Sequence, residues 1–290
     1  ENLSFITGPA RDTTDGAMEG IIGIETEMLA VEKILQGQHF DKGMADLNKG
    51  KVSADAAIER LTHAGLMEKG QIEEIQKRKQ EYEKLLQQLL DEYQVFAKAK
   101  YQFDDNTESF VILGEEMEEL GDSAIEELKA NPEENYTWSD IEQRWKAADG
   151  GMEANIGLLS SLYYIGRLIA QSEEAEAARL QIEEALKFQE DAASEMLGTG
   201  RFDATAGSKW GNKSYKELYL NYFSQHKNLI HELVNSTIKF HLTHANYVNV
   251  SQGLLALLEV LEDSGVEIVE QEVGVISKIQ LETESRMFIT

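Results

Sequence analysis

Cysteine is absent from this 290-residue chain, and proline occurs twice, at Pro9 and Pro132. Without cysteine there is no disulfide, no thiolate nucleophile and no cysteine–zinc site. A proline inside a helix costs about 3 kcal/mol, so so few of them leave very long stretches free to be helical. Long apolar runs are missing too. The longest, Leu254-Leu255-Ala256-Leu257-Leu258, falls far short of the roughly 20 residues that span a bilayer. Positive charge is scarce: 27 lysines and arginines stand against 53 acidic residues, for a net charge of −26. That balance argues against nucleic-acid binding, which needs a basic surface to meet phosphates, and against lying on anionic headgroups. It suits a large, solvated helical surface.

The chain is 42% apolar and 28% charged, the makeup of a folded protein, and its length favours two stacked cores over one. Three polar, turn-like breaks, Ala64–Gly70, Ala130–Thr137 and Gly198–Ser214, separate four segments of about fifty to seventy residues each. Four antiparallel passes would bring both ends to one end of a long rod. The expected fold is all-α: an elongated antiparallel helical bundle of about six helices, two of them long, in two stacked four-helix modules. The chain starts without methionine and ends on Met287-Phe288-Ile289-Thr290 with no stop signal for the last helix, so it reads as a piece of a longer protein.

Apolar spacing places the helices. Ile21, Ile24, Met28, Val31 and Leu35 form a seam in the first segment, preceded by Pro9 and Asp12 as a helix start. Gly37–Gly50 interrupts the pattern, and a short helix follows from about Ser53 to Thr62. The second segment carries Ile75, Tyr82, Leu86, Leu89, Tyr93 and Phe96, then Phe110, Leu113, Met117, Leu120 and Ala124, with a weaker register over Lys98–Asn106. The third opens at Thr137 or Ser139, the latter with Glu142 in capping-box spacing. Its seam is Ile141, Trp145, Ala148, Met152, Asn155 or Ile156, Leu159, Leu162 or Tyr163, and Ile169. The fourth begins at Ser214 with Glu217. Tyr222, His226, Leu229, Leu233, Thr237, Phe240, His244, Leu254, Leu257 and Leu261 make its seam, and Ser264-Gly265 breaks it before a final helix.

The natural enzyme of a four-helix bundle is a carboxylate-bridged di-metal site, which needs Glu-x-x-His on two helices. That motif is absent; Glu59 and His63 are four apart and solitary, and His241 and His244 have no carboxylate at matching spacing. No phosphate-binding loop or nucleophile elbow is present, so neither catalysis, a metal nor a cofactor is expected. What stands out are polar groups on the seams: His226, Thr237 and His244 in the fourth segment and Asn155 in the third. Burying them unpaired costs about 1–3 kcal/mol each, so they must meet one another, water or a ligand. Arg144 and Arg167 are the arginines best placed to turn inward, near Trp145, Tyr163 and Tyr164, where they would capture a small carboxylate. The plainer alternatives are satisfied core polar groups and arginines paired to surface glutamates.

Two stretches resemble a known family. Arg11-Asp12-Thr13-Thr14-Asp15-Gly16-Ala17-Met18, running into Ile24–Leu35, is similar to the start of the sensory region of bacterial methyl-accepting chemotaxis receptors. So is Glu142-Gln143-Arg144-Trp145-Lys146-Ala147-Ala148-Asp149-Gly150-Gly151-Met152-Glu153-Ala154-Asn155-Ile156-Gly157. The layout resembles the helical bimodular sensor class. The resemblance implies one periplasmic sensor region over 1–290, an ectodomain on the inner membrane between two membrane helices outside this chain. It implies signal transduction after binding a small molecule, organic acids included, by inward arginines and hydroxyls. A homodimer packed along the exposed side of the first helix is expected. The membrane-proximal bundle would take about 9–40, 100–129, 137–165 and 255–290, and the membrane-distal bundle the remaining helical parts. Two alternatives stay open: the sensor of a histidine kinase that recognises a periplasmic binding protein, and a structural helical spacer.

Overall fold

In the computed structural model, residues 4–37, 40–132, 134–172 and 174–287 are described, with the backbone path alone for 4–7 and 281–287. The fold is an all-α helical bundle. Among the described residues there are six α-helices and no strand: α1 (Ser4–Leu35), α2 (Phe40–His63), α3 (Lys69–Ala130), α4 (Trp138–Ile169), α5 (Ala175–Gly198) and α6 (Tyr215–Met287). Two are long, α3 at 62 residues and α6 at 73. Short 3₁₀ turns at Arg201–Asp203 and Ser208–Trp210 lie between α5 and α6.

The count of six is reached differently from the expectation. Gln171, in the left-handed region at φ 52°, reverses the chain after α4, so the third segment is two helices rather than one. Conversely α6 runs unbroken through Ser264 and Gly265. The break expected over Gly37–Gly50 is mostly helix as well, because α2 begins at Phe40; Gln38 and His39 of that stretch lie outside the described residues. Pro9 sits inside α1 instead of before it, just past the first turn, where it forfeits a backbone hydrogen bond, and its carbonyl accepts from the Thr13 hydroxyl (2.8 Å). At α4 the cap is Thr137: its hydroxyl accepts from the Asp140 N–H (3.2 Å), and Asp140 accepts in return from the Thr137 N–H (2.8 Å). The Glu217 N–H donates to the Ser214 hydroxyl (3.2 Å) at the start of α6.

The chain divides into two compact units. The first holds residues up to Leu90 and those from Thr243 onward: α1, α2, the first part of α3 and the last part of α6. The second, Asp91–Leu242, holds the rest of α3, α4, α5 and the first part of α6. This partition differs from the expected one, in which 100–129 and 137–165 were grouped with 9–40 and 255–290; both of those stretches belong to the second unit. The reason is local pairing, since α1 forms a hairpin with α2 and α4 with α5, and each hairpin closes on one stretch of α3 and one of α6.

In the first unit α1 and α2 approach backbone to backbone. A Cβ on Gly23 would lie 2.7 Å from the Ala54 nitrogen, and one on Gly50 would lie 2.9 Å from Glu27 Cγ. The glycines of α2 that resemble breakers are therefore contact points. The hydrophobic core of the second unit is built on Phe103, Phe110, Leu113 and Met117 of α3, Leu158 and Ile165 of α4, Ile182 and Met196 of α5, and Tyr219, Phe223 and Leu233 of α6. The segment joining α5 to α6 is held to α3: Phe202 is buried, Arg201 donates to the Leu120 carbonyl (2.7 Å) and to Glu127 (2.8 Å), and Trp210 Nε1 donates to Glu116 (2.7 Å).

Gly23→Ala is expected to destabilise the chain by about 1–3 kcal/mol, because the neighbour that must yield is backbone. Gly274→Ala, where a Cβ meets nothing within 4 Å, should leave stability equal or raise it by up to about 1 kcal/mol through helix propensity. Urea unfolding of the two variants checks this difference.

Candidate functional site

The residues expected to form a ligand site do not converge. α4 presents to the core a face of mostly small side chains, Ala147, Gly150, Gly151, Ala154, Gly157 and Ser161, together with Leu158, Ile165 and Leu168. The expected seam points the other way. Trp145 and Tyr163 are 61% and 59% exposed. Arg144 lies over the Tyr136 ring (4.9 Å), donates to the Asp140 carbonyl (3.3 Å) and faces Glu127 at 3.8 Å. Arg167 lies over Tyr163 (5.7 Å), whose ring meets Tyr164 edge-on. Arg144 and Arg167 are therefore at opposite ends of α4, roughly 35 Å apart along a helix rising 1.5 Å per residue, and neither enters the core. His244 belongs to the first unit, with Nε2 3.0 Å from Glu32 Oε1. Thr237 is buried and its hydroxyl donates to the Leu233 carbonyl (2.7 Å), so it needs no ligand.

Two further expected residues, His226 and Asn155, carry buried polar atoms without partners inside the second unit. His226 of α6 is fully buried between Phe103 (rings stacked, 5.3 Å) and Phe110 (edge-on, 5.3 Å) of α3. Neither of its ring nitrogens has a hydrogen-bond partner. Burial alone pushes the imidazole down to about 4, so at neutral pH it is uncharged. Phe110 also meets Tyr219 edge-on at 5.3 Å, and Tyr219 Oη accepts from Gln189 Nε2 (3.1 Å), a fully buried amide on α5. Asn155 of α4 donates to Glu118 Oε2 (2.8 Å). Asn155 Oδ1 and Gln189 Oε1 are both buried and without a partner. They line one interior void of about 10 Å³ with Gly114, Met117, Gly151 and Tyr219, room for about one water. A continuous path of polar and aromatic groups thus crosses the bundle, from Asn155 through Gln189, Tyr219 and Phe110 to His226. Its unpaired acceptors around the void are two buried amide oxygens, and no arginine or lysine is buried among the described residues of this core.

The first unit contains a second polar cluster that seam spacing missed. Glu27 of α1 is 2% exposed. Tyr82 of α3 donates to Glu27 Oε2 (3.2 Å), and Tyr247 of α6 lies 3.3 Å from Tyr82 Oη, placed to donate to it. Burial raises the Glu27 carboxyl to about 7 against the hydrogen bond from Tyr82, with Asp55 and Glu83 nearby adding to the rise and Lys51 opposing it. Burial likewise pushes the Tyr247 phenol up to about 12. The signal was available, because Glu27 falls three residues after Ile24 and four before Val31, both buried. Met28, chosen for being apolar, is only half-buried.

Compared with known proteins, the chain matches no family model, and no curated protein is significantly similar to it. Among the described residues no group of three or more histidine, aspartate or glutamate side chains could hold a metal, and no helix is long and apolar enough to cross a membrane.

The two buried titrating groups predict opposite responses to pH. Glu27 has a raised pKa, so its contribution is fully present below about 4.5 and is lost as pH rises through about 7, a change of roughly 3 kcal/mol. His226 has a lowered pKa, so its contribution is present above about 6.5 and lost as pH falls through about 4, again by roughly 3 kcal/mol. Acidification from pH 7 to 4.5 should increase amide protection in the first unit and decrease it in the second, after correction for intrinsic exchange. Glu27→Gln should flatten the first response and His226→Phe the second.

Proposed function

We propose that this chain is the extracytoplasmic ligand-sensing domain of a transmembrane chemotaxis receptor on the periplasmic face of the inner membrane. In this reading it is not an enzyme. The second unit takes up a small molecule at the layer around Asn155, Gln189 and Tyr219. The observation that carries the reading is the pair of buried, unpartnered amide oxygens around that void. Each costs about 1–3 kcal/mol until a donor reaches it, so a ligand bearing N–H or O–H groups would gain that amount on entering. Two amide acceptors and a phenol favour amines and amides over the carboxylates that inward arginines would have held.

The size of the void supports a sensing role. Room for about one water means that a metabolite must part the helices to enter, so the ligand-bound arrangement differs from the free one and its population rises with ligand. A small slide or rotation of packed helices is the expected form of the change. In the first unit α1 and α6 touch where the output would leave: a Cβ on Gly265 would collide with Thr14 Oγ1 and lie 3.2 Å from the Ala10 carbonyl. Such close contact registers small displacements. Met18, Ile22 and Leu29 leave an exposed apolar line on α1 that suits the homodimer of this reading.

A panel of small amines, amides, amino acids and organic acids tests the proposal by thermal shift and calorimetry. At least one donor-bearing compound should raise the melting temperature by several degrees at about a hundredfold its Kd. Asn155→Leu should abolish that shift while the unliganded chain stays folded. No shift with any compound at saturation would remove the support for direct sensing.

A further inference from the structure

A groove of about 480 Å³ opens between α3 and α6 in the second unit, within the size range of small-molecule sites. It lies along the stretch of α3 where the apolar register weakens, and it shares no lining residue with the void around Asn155. Its chemistry departs from that of the surrounding surface. Five of the nine residues lining the groove of about 390 Å³ between α3 and α4 are charged, four of them acidic. Here Asp105 is the one charge among nine. Four carboxamides stand in place of charges: Gln102 and Asn106 of α3, Gln225 and Asn228 of α6. Tyr101 and Tyr222 add two aromatic rings, and Tyr101 is 73% exposed.

Asn106 forms the floor. It is 9% exposed, whereas the other lining residues are half-buried or exposed. Its Nδ2 donates across the helices to Gln225 Oε1 (3.2 Å), and Gln225 Nε2 donates in turn to Asn221 Oδ1 (3.4 Å), so both amides are oriented. Asn106 Oδ1 is left buried without a partner. Tyr222 is stacked on Phe110 (6.0 Å) and met edge-on by Trp210 (6.0 Å), which holds its ring in place.

We infer that this groove is a binding site for a neutral polyhydroxylated ligand of the mono- or disaccharide class. A sugar hydroxyl both donates and accepts, and so does a carboxamide, so neighbouring hydroxyls pair with its oxygen and nitrogen together. The apolar C–H face of a sugar ring lies flat on an exposed aromatic ring such as Tyr101. A hydroxyl that reaches the floor donates to Asn106 Oδ1, an acceptor that no group of the chain satisfies. From Tyr101 to Ser109 the groove follows α3 for about 12 Å, at 1.5 Å per residue, room for one or two sugar rings. Charged ligands fit less well. No lysine or arginine among the described residues lines the groove, and the net charge is −26, so anions are repelled. A cation would find the single carboxylate of Asp105, and an exposed ion pair of that kind contributes little. The site is independent of the sensing role proposed for the void.

Nuclear magnetic resonance titration of the 290-residue chain with glucose, galactose, ribose, maltose and sucrose tests it. At least one of these sugars should shift the side-chain amide signals of Asn106 and Gln225 saturably, with a Kd below about 10 mM. Tyr101→Ala, at an exposed position, and Asn106→Leu, which removes the unpaired oxygen, should each weaken that binding by about tenfold or more with unchanged helical circular dichroism. Asn155→Leu, in the void, should leave it unaltered. The absence of any saturable shift at these amides by about 10 mM would overturn the inference. So would binding that survives both groove substitutions, binding lost with Asn155→Leu, or tighter binding at these amides of glucuronate, glucosamine, adenosine or triglycine than of every neutral sugar.

Discussion

Backbone-to-backbone approach between helices is the constraint on which the rest of this structure depends. A Cβ on Gly157 would lie 2.7 Å from Gln189 Cβ, one on Gly150 2.9 Å from Met196 Cβ, and one on Gly121 2.6 Å from the Ala147 carbonyl. At these three positions no large side chain fits between α4 and its neighbours. The buried face of α4 is therefore mostly glycine, alanine and serine over its first five turns, with Leu158, Ile165 and Leu168 as its large apolar members, and close atom contacts carry much of that interface. Trp138, Ile141, Trp145, Ile156 and Leu159 of that helix lie on the opposite side. The exposed stripe is thus the geometric complement of a tight interior.

The same closeness explains the polar groups. A bundle packed on small residues leaves little room, so a buried Gln189 or Asn155 cannot rotate freely to find a second partner, and one oxygen of each stays unsatisfied. His226 is clasped by Phe103 and Phe110 with no acceptor or donor in reach, and its neutrality follows from burial alone. In the first unit Glu27 is accommodated differently. Gly50 leaves space for its stem, and the hydroxyls of Tyr82 and Tyr247 form a chain ending at its carboxyl group. Burial thus opposes charging a carboxyl in one unit and an imidazole in the other.

Much of this was legible in the sequence, and the exceptions share a cause. The seams of α3 and α6 read correctly: Ile75, Tyr82, Leu89, Phe110, Leu113 and Met117 are buried, as are His226, Leu233, Thr237, Leu254 and Leu261. Those helices pack on several neighbours, and large apolar residues mark their inner faces. The seam of α4 was read with the right spacing and the wrong side, because periodicity locates a stripe and not what covers it. Gly43 and Gly50 were taken for breakers although they are contact points, and Glu27 was passed over because its neighbour Met28 was the more apolar choice. The proposed site was half visible. Asn155 and His226 interrupt apolar seams, but Gln189 and Tyr219 sit in ordinary helical surroundings, and only the bundle brings them beside Asn155.

Composition and spacing by themselves determined that the chain is helical throughout, where two long helices run, and that no basic surface or thiol chemistry is available. These follow from local rules: few prolines, a period near 3.6, and charge. Only the tertiary structure decided which face of α4 is inside, which helices pair into hairpins, and which polar groups end up buried without partners. A hydrophobic period is symmetric between packing inward and waiting outward, and the distance between two backbones breaks that symmetry.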